Sequence, residues 1–258
     1  MDGKPVLSEP WIVAHRGARD EAPENTSSAF ERALRYPIDG IELDVQMSAD
    51  GVPVIYHDAT LWRVARSRRR IADLTADRLA RLEWGGWFDA AYAGEPLLTL
   101  EQTLIRFAAR TRLLIEIKAP AKNDNERLTR RVVDMLRHLP ANTPEAHIHI
   151  LCFDIEVLHL VHQLAPQWRC VYNVPERTPE RVMHLPEADA SHLWAIDVPI
   201  GRLSPKLAAW ARERSLKLCT YTCNGPRQVA KALRLGVDAI LSDRPGWLTN
   251  HMGRARKM

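Results

Sequence analysis

Cysteine is scarce: Cys152, Cys170, Cys219 and Cys223 are the only four in 258 residues. They are scattered, and the nearest pair is spaced Cys-x3-Cys, which fits neither a disulfide framework nor the Cys-x2-Cys spacing of zinc and redox sites. Buried strand thiols in a reducing compartment are the expectation. Long apolar runs are also missing, and nothing approaches the roughly 18 uninterrupted apolar residues of a membrane helix. The first ten residues carry acids and prolines where a secretory leader needs a continuous apolar stretch. A soluble, cytoplasmic protein without stable membrane association is therefore expected. There is no internal repeat and no low-complexity tract. The segment Ala14-His15-Arg16-Gly17-Ala18-Arg19 is not the glycine-rich phosphate loop that opens a doubly wound sheet. An excess of one charge is nearly absent, 36 Lys and Arg standing against 32 Asp and Glu for a net charge of +4. That balance suits an anionic substrate without establishing nucleic-acid binding. The one dense basic run, residues 63–70, and a lesser one at 254–257 read as solvated surface.

What is present is a strong alternation. Hydrophobic residues make up 46% of the chain, enough for a core without disulfides or a structural metal. Short β-rich apolar runs at 11–15, 38–45, 112–118, 147–152, 168–172, 193–197, 217–221 and 238–241 predict strands. Helical patterns follow near 26–35, 100–109, 126–139, 155–164, 179–185, 204–214, 226–235 and 244–250. Eight strands each followed by a helix is the arithmetic of a TIM (β/α)8 barrel, expected here as one domain over residues 1–258. One segment, at about 58–96, breaks the rhythm as a small insertion after the second strand, at the end of the barrel where function is expected.

Strand side chains alternate between faces, so Glu42 and Asp44 share one face of Ile41-Glu42-Leu43-Asp44 while the apolar pair takes the other. In Glu116-Ile117-Lys118 the charged pair again shares a face. Inward carboxylates at matching strand ends are costly unless met by a cation, and three of them beside a lysine suit a hard divalent metal. A Glu-Lys pair with solvated strand ends is the alternative. His15 ends the first strand, and His57 ends the apolar segment Val52-Pro53-Val54-Ile55-Tyr56; both sit where a barrel keeps groups that move protons. The other eight histidines are assigned to structure or surface. Arg16 offers a fork of donors to phosphate, or a salt bridge to one of the acids. In Pro23-Glu24-Asn25-Thr26, Asn25 or Thr26 is expected to cap the following helix.

The ordered set His15-Arg16-Gly17, Pro23-Glu24-Asn25-Thr26, Glu42-Leu43-Asp44, Asp50-Gly51, His57-Asp58 and Glu116-Ile117-Lys118 resembles the glycerophosphodiester phosphodiesterase family. The likeness continues through Cys152-Phe153, Thr220-Tyr221-Thr222-Cys223-Asn224 and residues 236–245, and so spans nearly the whole chain. It implies a barrel hydrolysing glycerophosphodiesters to an alcohol and sn-glycerol 3-phosphate. Under that resemblance Glu42, Asp44 and Glu116 hold Mg2+ or Ca2+, His15 and His57 are the acid–base pair, and Arg16 and Lys118 surround the phosphate. Two positions depart from the pattern: Tyr221 stands where the family commonly has tryptophan, and Cys152 where it has serine. A related barrel phospholipase, of the phosphatidylinositol-specific or sphingomyelinase D type, is the competing enzyme reading. A non-catalytic anion-binding protein using residues 63–70 is the competing non-enzyme reading.

Overall fold

The fold is described from a computed structural model for residues 9–118 and 122–255. The chain runs β1 (Trp11–His15), α1 (Ser27–Ala33), β2 (Gly40–Met47), β3 (Pro53–Ile55), α2 (Trp62–Ala65), α3 (Ala76–Ala80), α4 (Leu100–Phe107), β4 (Arg112–Ile117) and α5 (Lys122–Leu136). It continues through β5 (Ile148–Cys152), α6 (Ile155–Leu164), β6 (Arg169–Asn173), α7 (Glu187–Ala190), β7 (Leu193–Pro199), α8 (Pro205–Glu213), β8 (Lys217–Tyr221), α9 (Pro226–Leu235), β9 (Ala239–Ser242) and α10 (Pro245–His251). Helix starts follow local chemistry. Thr26, Thr99 and Ser204 each accept a hydrogen bond from a first-turn backbone N–H, and Pro226 and Pro245 occupy first-turn positions that need no donor. Gly236 ends α9 in the left-handed conformation.

Eight strands pair in parallel in the order β1-β9-β8-β7-β6-β5-β4-β2, and β1 pairs with β2 to close the barrel. The expected TIM barrel is therefore present. β3 is an additional, antiparallel strand on the extension of β2: β1 occupies that edge of β2 up to Glu42, and β3 takes it over from Val45 to Met47. This handover delivers the chain after β3, with His57, to the mouth of the barrel.

Period-2 alternation sorts the strand residues. Ile12, Ile41, Leu43, Ile115, Ile150 and Ile196 belong to the large apolar cluster shared with the helices. Val13, Leu114, Leu151, Val171, Ala195, Cys219 and Ala239 form a separate cluster inside the barrel. Below that layer Trp11 stacks on Trp194 at 5.5 Å, with His149 edge-on to Trp11, while Arg112 and Arg169 lie over the two indoles. Burial and the two guanidiniums push His149 down to about 3, so this neutral ring closes the barrel floor. All four cysteines are free and buried. Among the described residues no helix is long and apolar enough to cross a membrane.

The insertion at 58–96 has its own small core, in which Leu61, Ile71, Leu74, Leu79 and Trp84 pack with Val54 and Tyr56. Three expectations need correction. The segment 179–185 forms a 3-10 helix, Pro179–His184, followed by the short α7, because Pro186 has no N–H with which to continue a helix. Residues 52–56 include a true strand. The basic runs are not wholly solvated: Arg254 pairs with Asp39, and Arg63 is half-buried within an ion-pair network.

Candidate active site

The barrel's inner layer predicts its mouth. Two residues beyond Val13, Leu114, Leu151, Val171, Ala195 and Cys219, on the same face of each strand, come His15, Glu116, Phe153, Asn173, Asp197 and Tyr221. These six, with Arg16, Glu42, His57 and Lys118, line a cavity of about 100 Å3 at the C-terminal end of the strands. Asp44 lies beneath it, fully buried. The structure thus gathers all seven residues singled out in the sequence.

The three acids converge. Carboxylate oxygens of Glu42, Asp44 and Glu116 lie within 4.8 Å of one another. Lys118 Nζ bridges Asp44 Oδ1 at 2.8 Å and Glu116 Oε1 at 2.6 Å, and Arg16 Nε reaches Asp44 Oδ2 at 3.1 Å. Of the two expected cap candidates, Thr26 caps α1, while Asn25 donates to Asp44 Oδ2 at 2.8 Å. Asn25 and Arg16 both have positive φ, at 60° and 56°. The Asn25 N–H donates to the Arg16 carbonyl, and the Arg16 N–H to the Glu42 carbonyl, which holds both in that costly conformation. Next to them Gly17, at φ 85°, sits so close to α1 that a Cβ would lie 2.7 Å from that of Ala29.

Ionisation divides the acids. Burial opposes charge on Asp44, but Lys118 and Arg16 outweigh it and hold the carboxyl well below its usual range. For Glu42 burial and then the Asp44 charge win, and its carboxyl lies well above the usual range. Burial and Asp44 also raise Glu116. Among the described residues these three carboxyl groups meet two side-chain cations, Lys118 and Arg16, and Arg16 is shared with Glu24 at 3.0 Å. A hard divalent cation suits that deficit and that all-oxygen donor set. A second acidic group, Glu24, His57 and Asp58, does not need one, because Arg16, Arg19 and Arg63 already neutralise it.

Each mouth histidine is braced at Nδ1 by a carboxylate. His15 Nδ1 lies 2.6 Å from Asp243 Oδ1, and His57 Nδ1 lies 3.0 Å from Asp58 Oδ1. An ionised carboxylate accepts only, so it fixes the proton on Nδ1 and leaves Nε2 for the cavity. Burial opposes ionisation of Asp243 and Asp58, yet their hydrogen bonds to histidine, with nearby arginine, hold both at about 2. Asn224 donates to Asp243 Oδ2 at 2.7 Å. The chemistry of the set is proton transfer beside a cationic, oxygen-rich pocket, suited to a phosphodiester.

The sequence model of the glycerophosphoryl diester phosphodiesterase family matches residues 15–247. The chain belongs to that family. It is 28% identical over 245 residues to the glycerophosphodiester phosphodiesterase of Caldanaerobacter subterraneus subsp. tengcongensis, covering 93% of this chain and 96% of that one. An Oleispira antarctica phosphodiesterase solved with the product sn-glycerol-3-phosphate superposes with a TM-score of 0.82, at 26% identity, over 95% of this chain and 97% of that one. The glycerophosphodiester phosphodiesterase of Agrobacterium tumefaciens superposes at 0.75, with 28% identity over 92% and 97% of the two chains.

The structure also brings to this site residues to which the sequence reading gave no role. Asp58 and Asp243 lay within motifs that carry the family resemblance, His57-Asp58 and residues 236–245, but had no assigned role. Asn173 and Asp197 were single polar residues at the ends of apolar strands; counting two places from the inward Val171 and Ala195 would have found them. Arg63 was hidden in its basic run, and it ties Asp58 to the buried Glu24.

Proposed function

We propose that this phosphodiesterase cleaves glycerophosphodiesters to an alcohol and sn-glycerol 3-phosphate, using a divalent cation and two histidines. The observation that carries the reading is the convergence of Glu42, Asp44 and Glu116 beside two carboxylate-braced imidazoles in one cavity. Glu42, Asp44 and Glu116 would hold the cation, Mg2+ or Ca2+, which when bound polarises the phosphodiester and offsets its growing negative charge. Lys118 and Arg16 keep Asp44 ionised and add positive charge beside the phosphate. Asp243 and Asp58 hold His15 and His57 with Nε2 available, one imidazole taking the attacking group's proton and the other supplying one to the leaving alkoxide. A cytoplasmic location belongs to the same proposal.

The test is product analysis after incubating the purified enzyme with glycerophosphocholine, glycerophosphoethanolamine and glycerophosphoglycerol in Mg2+ or Ca2+. Release of sn-glycerol 3-phosphate is expected. Intact diesters throughout, or release only from lipid vesicles, would overturn it.

A further inference from the structure

The cavity holds two acceptor oxygens that the chemistry above does not use. Asn173 and Asp197 are register partners on β6 and β7, each 2% exposed, and Oδ1 of each has no hydrogen-bond partner. Asn173 Nδ2 is committed to Glu116 Oε2 at 3.1 Å, which ties its amide to the acid cluster and leaves Oδ1 over. Leaving a buried acceptor unpaired costs about 1–3 kcal/mol, so a pair of them lining one cavity calls for a ligand that donates. The neighbouring walls are carbon-rich, from Leu151, Phe153, Leu241 and the Tyr221 ring. The basic groups, His15, Arg16, His57 and Lys118, come from other strands, β1 and the segments after β3 and β4, so phosphate and polyol have separate walls.

We infer that Asp197 and Asn173 accept hydrogen bonds from the free hydroxyls of the substrate's glycerol and thereby select a glycerol diester over other phosphodiesters. The inference rests on the glycerophosphodiester reading above. It makes Asp197 the cleaner probe, because Asn173 also supports Glu116.

The experiment pairs an enzyme change with a substrate change. The substrates are a glycerophosphodiester and its analogue lacking only the terminal hydroxyl remote from phosphate; the enzymes are wild type, Asp197→Leu, which keeps the volume, and Asp197→Asn, which keeps one acceptor. Thermal unfolding checks that each variant folds. Wild type is expected to prefer the full glycerol diester by about 10- to 100-fold in kcat/KM, the worth of a buried acceptor left unpaired. Asp197→Leu should reduce that preference to under about 3-fold, with Asp197→Asn between the two. A Leu variant retaining the wild-type preference overturns the inference, as does a wild type that releases sn-glycerol 3-phosphate yet shows no preference. If Asp197→Leu does not fold, the wild-type comparison and the Asn variant decide alone. Absence of any sn-glycerol 3-phosphate from wild type would instead strike the underlying reading.

Discussion

Within one basic run the structure separates a built-in arginine from a solvated one, and replacing each makes the difference measurable. Arg63 donates to Asp58 through Nε at 2.8 Å and Nη2 at 2.6 Å, to Glu24 Oε1 at 2.8 Å, and lies 4.7 Å from the Trp87 ring centroid. The Asp58 side chain is 32% exposed, so its share is screened and worth about 1 kcal/mol at most. The bond to the buried Glu24 is worth about 1.5–3 kcal/mol, but Arg16 and Arg19 remain beside Glu24 when Arg63 is gone. Arg63→Ala should therefore cost about 2–3 kcal/mol. At about 2–4 °C per kcal/mol for a chain of this size, Tm should fall by about 5–10 °C. Arg68→Ala, at an exposed position in the same run, should stay within about 0.5 kcal/mol of wild type. Arg63→Ala should also lower kcat, because Asp58 loses the partner that steadies it against His57. Arg63→Lys keeps the charge without the fork and should fall between. Thermal unfolding with steady-state kinetics reads all three variants. An Arg63→Ala enzyme that melts with wild type, or an Arg68→Ala enzyme that melts equally low, would refute the reasoning.

Replacing either His15 or His57 by alanine should lower kcat by about 10²–10⁴-fold with the fold retained, and a well-folded variant at full rate would remove that residue from acid–base chemistry. Asp243 and Asp58 titrate at about 2 in the fold against about 3.9 unfolded, so they contribute stability above pH 4 that is lost as pH falls toward 2. Tm measured from pH 2 to 7 should accordingly drop less steeply at the acid end in Asp243→Asn, and an unchanged slope would contradict the assignment. Because burial and Asp44 raise Glu42, binding of Mg2+ or Ca2+ should release protons and tighten as pH rises. Calorimetry in two buffers of different ionisation enthalpy should show that exchange, and identical heats would count against it.

Much of this architecture is legible in the sequence because its signals are local. Each barrel strand is a short apolar run, and the parity of Glu42, Asp44, Glu116 and Lys118 follows from alternation alone. β3 escaped recognition because its three residues are held by the end of β2 and by Leu98 and Thr99, a fact of tertiary geometry. The His15–Asp243 bond closes across 228 residues, a distance at which no sequence spacing carries information. Arg63 misled for the opposite reason: basic neighbours suggest solvent, whereas its burial is decided by Glu24, 39 residues earlier, and by Trp87. Asn25 was weighed as a cap because Asx residues favour caps, but its neighbour Thr26 took that role and left Asn25 for Asp44.

The central claim is that Glu42, Asp44 and Glu116 hold the cation on which glycerophosphodiester hydrolysis depends. Its most direct test is sn-glycerol 3-phosphate release by EDTA-treated enzyme during titration with Mg2+ and with Ca2+, for wild type beside a Glu42→Gln, Asp44→Asn double variant. The account predicts no release after EDTA, saturable recovery in wild type with at least one of the ions, and none in the folded double variant. Turnover that survives EDTA, or a double variant that recovers with the wild-type midpoint, would contradict it.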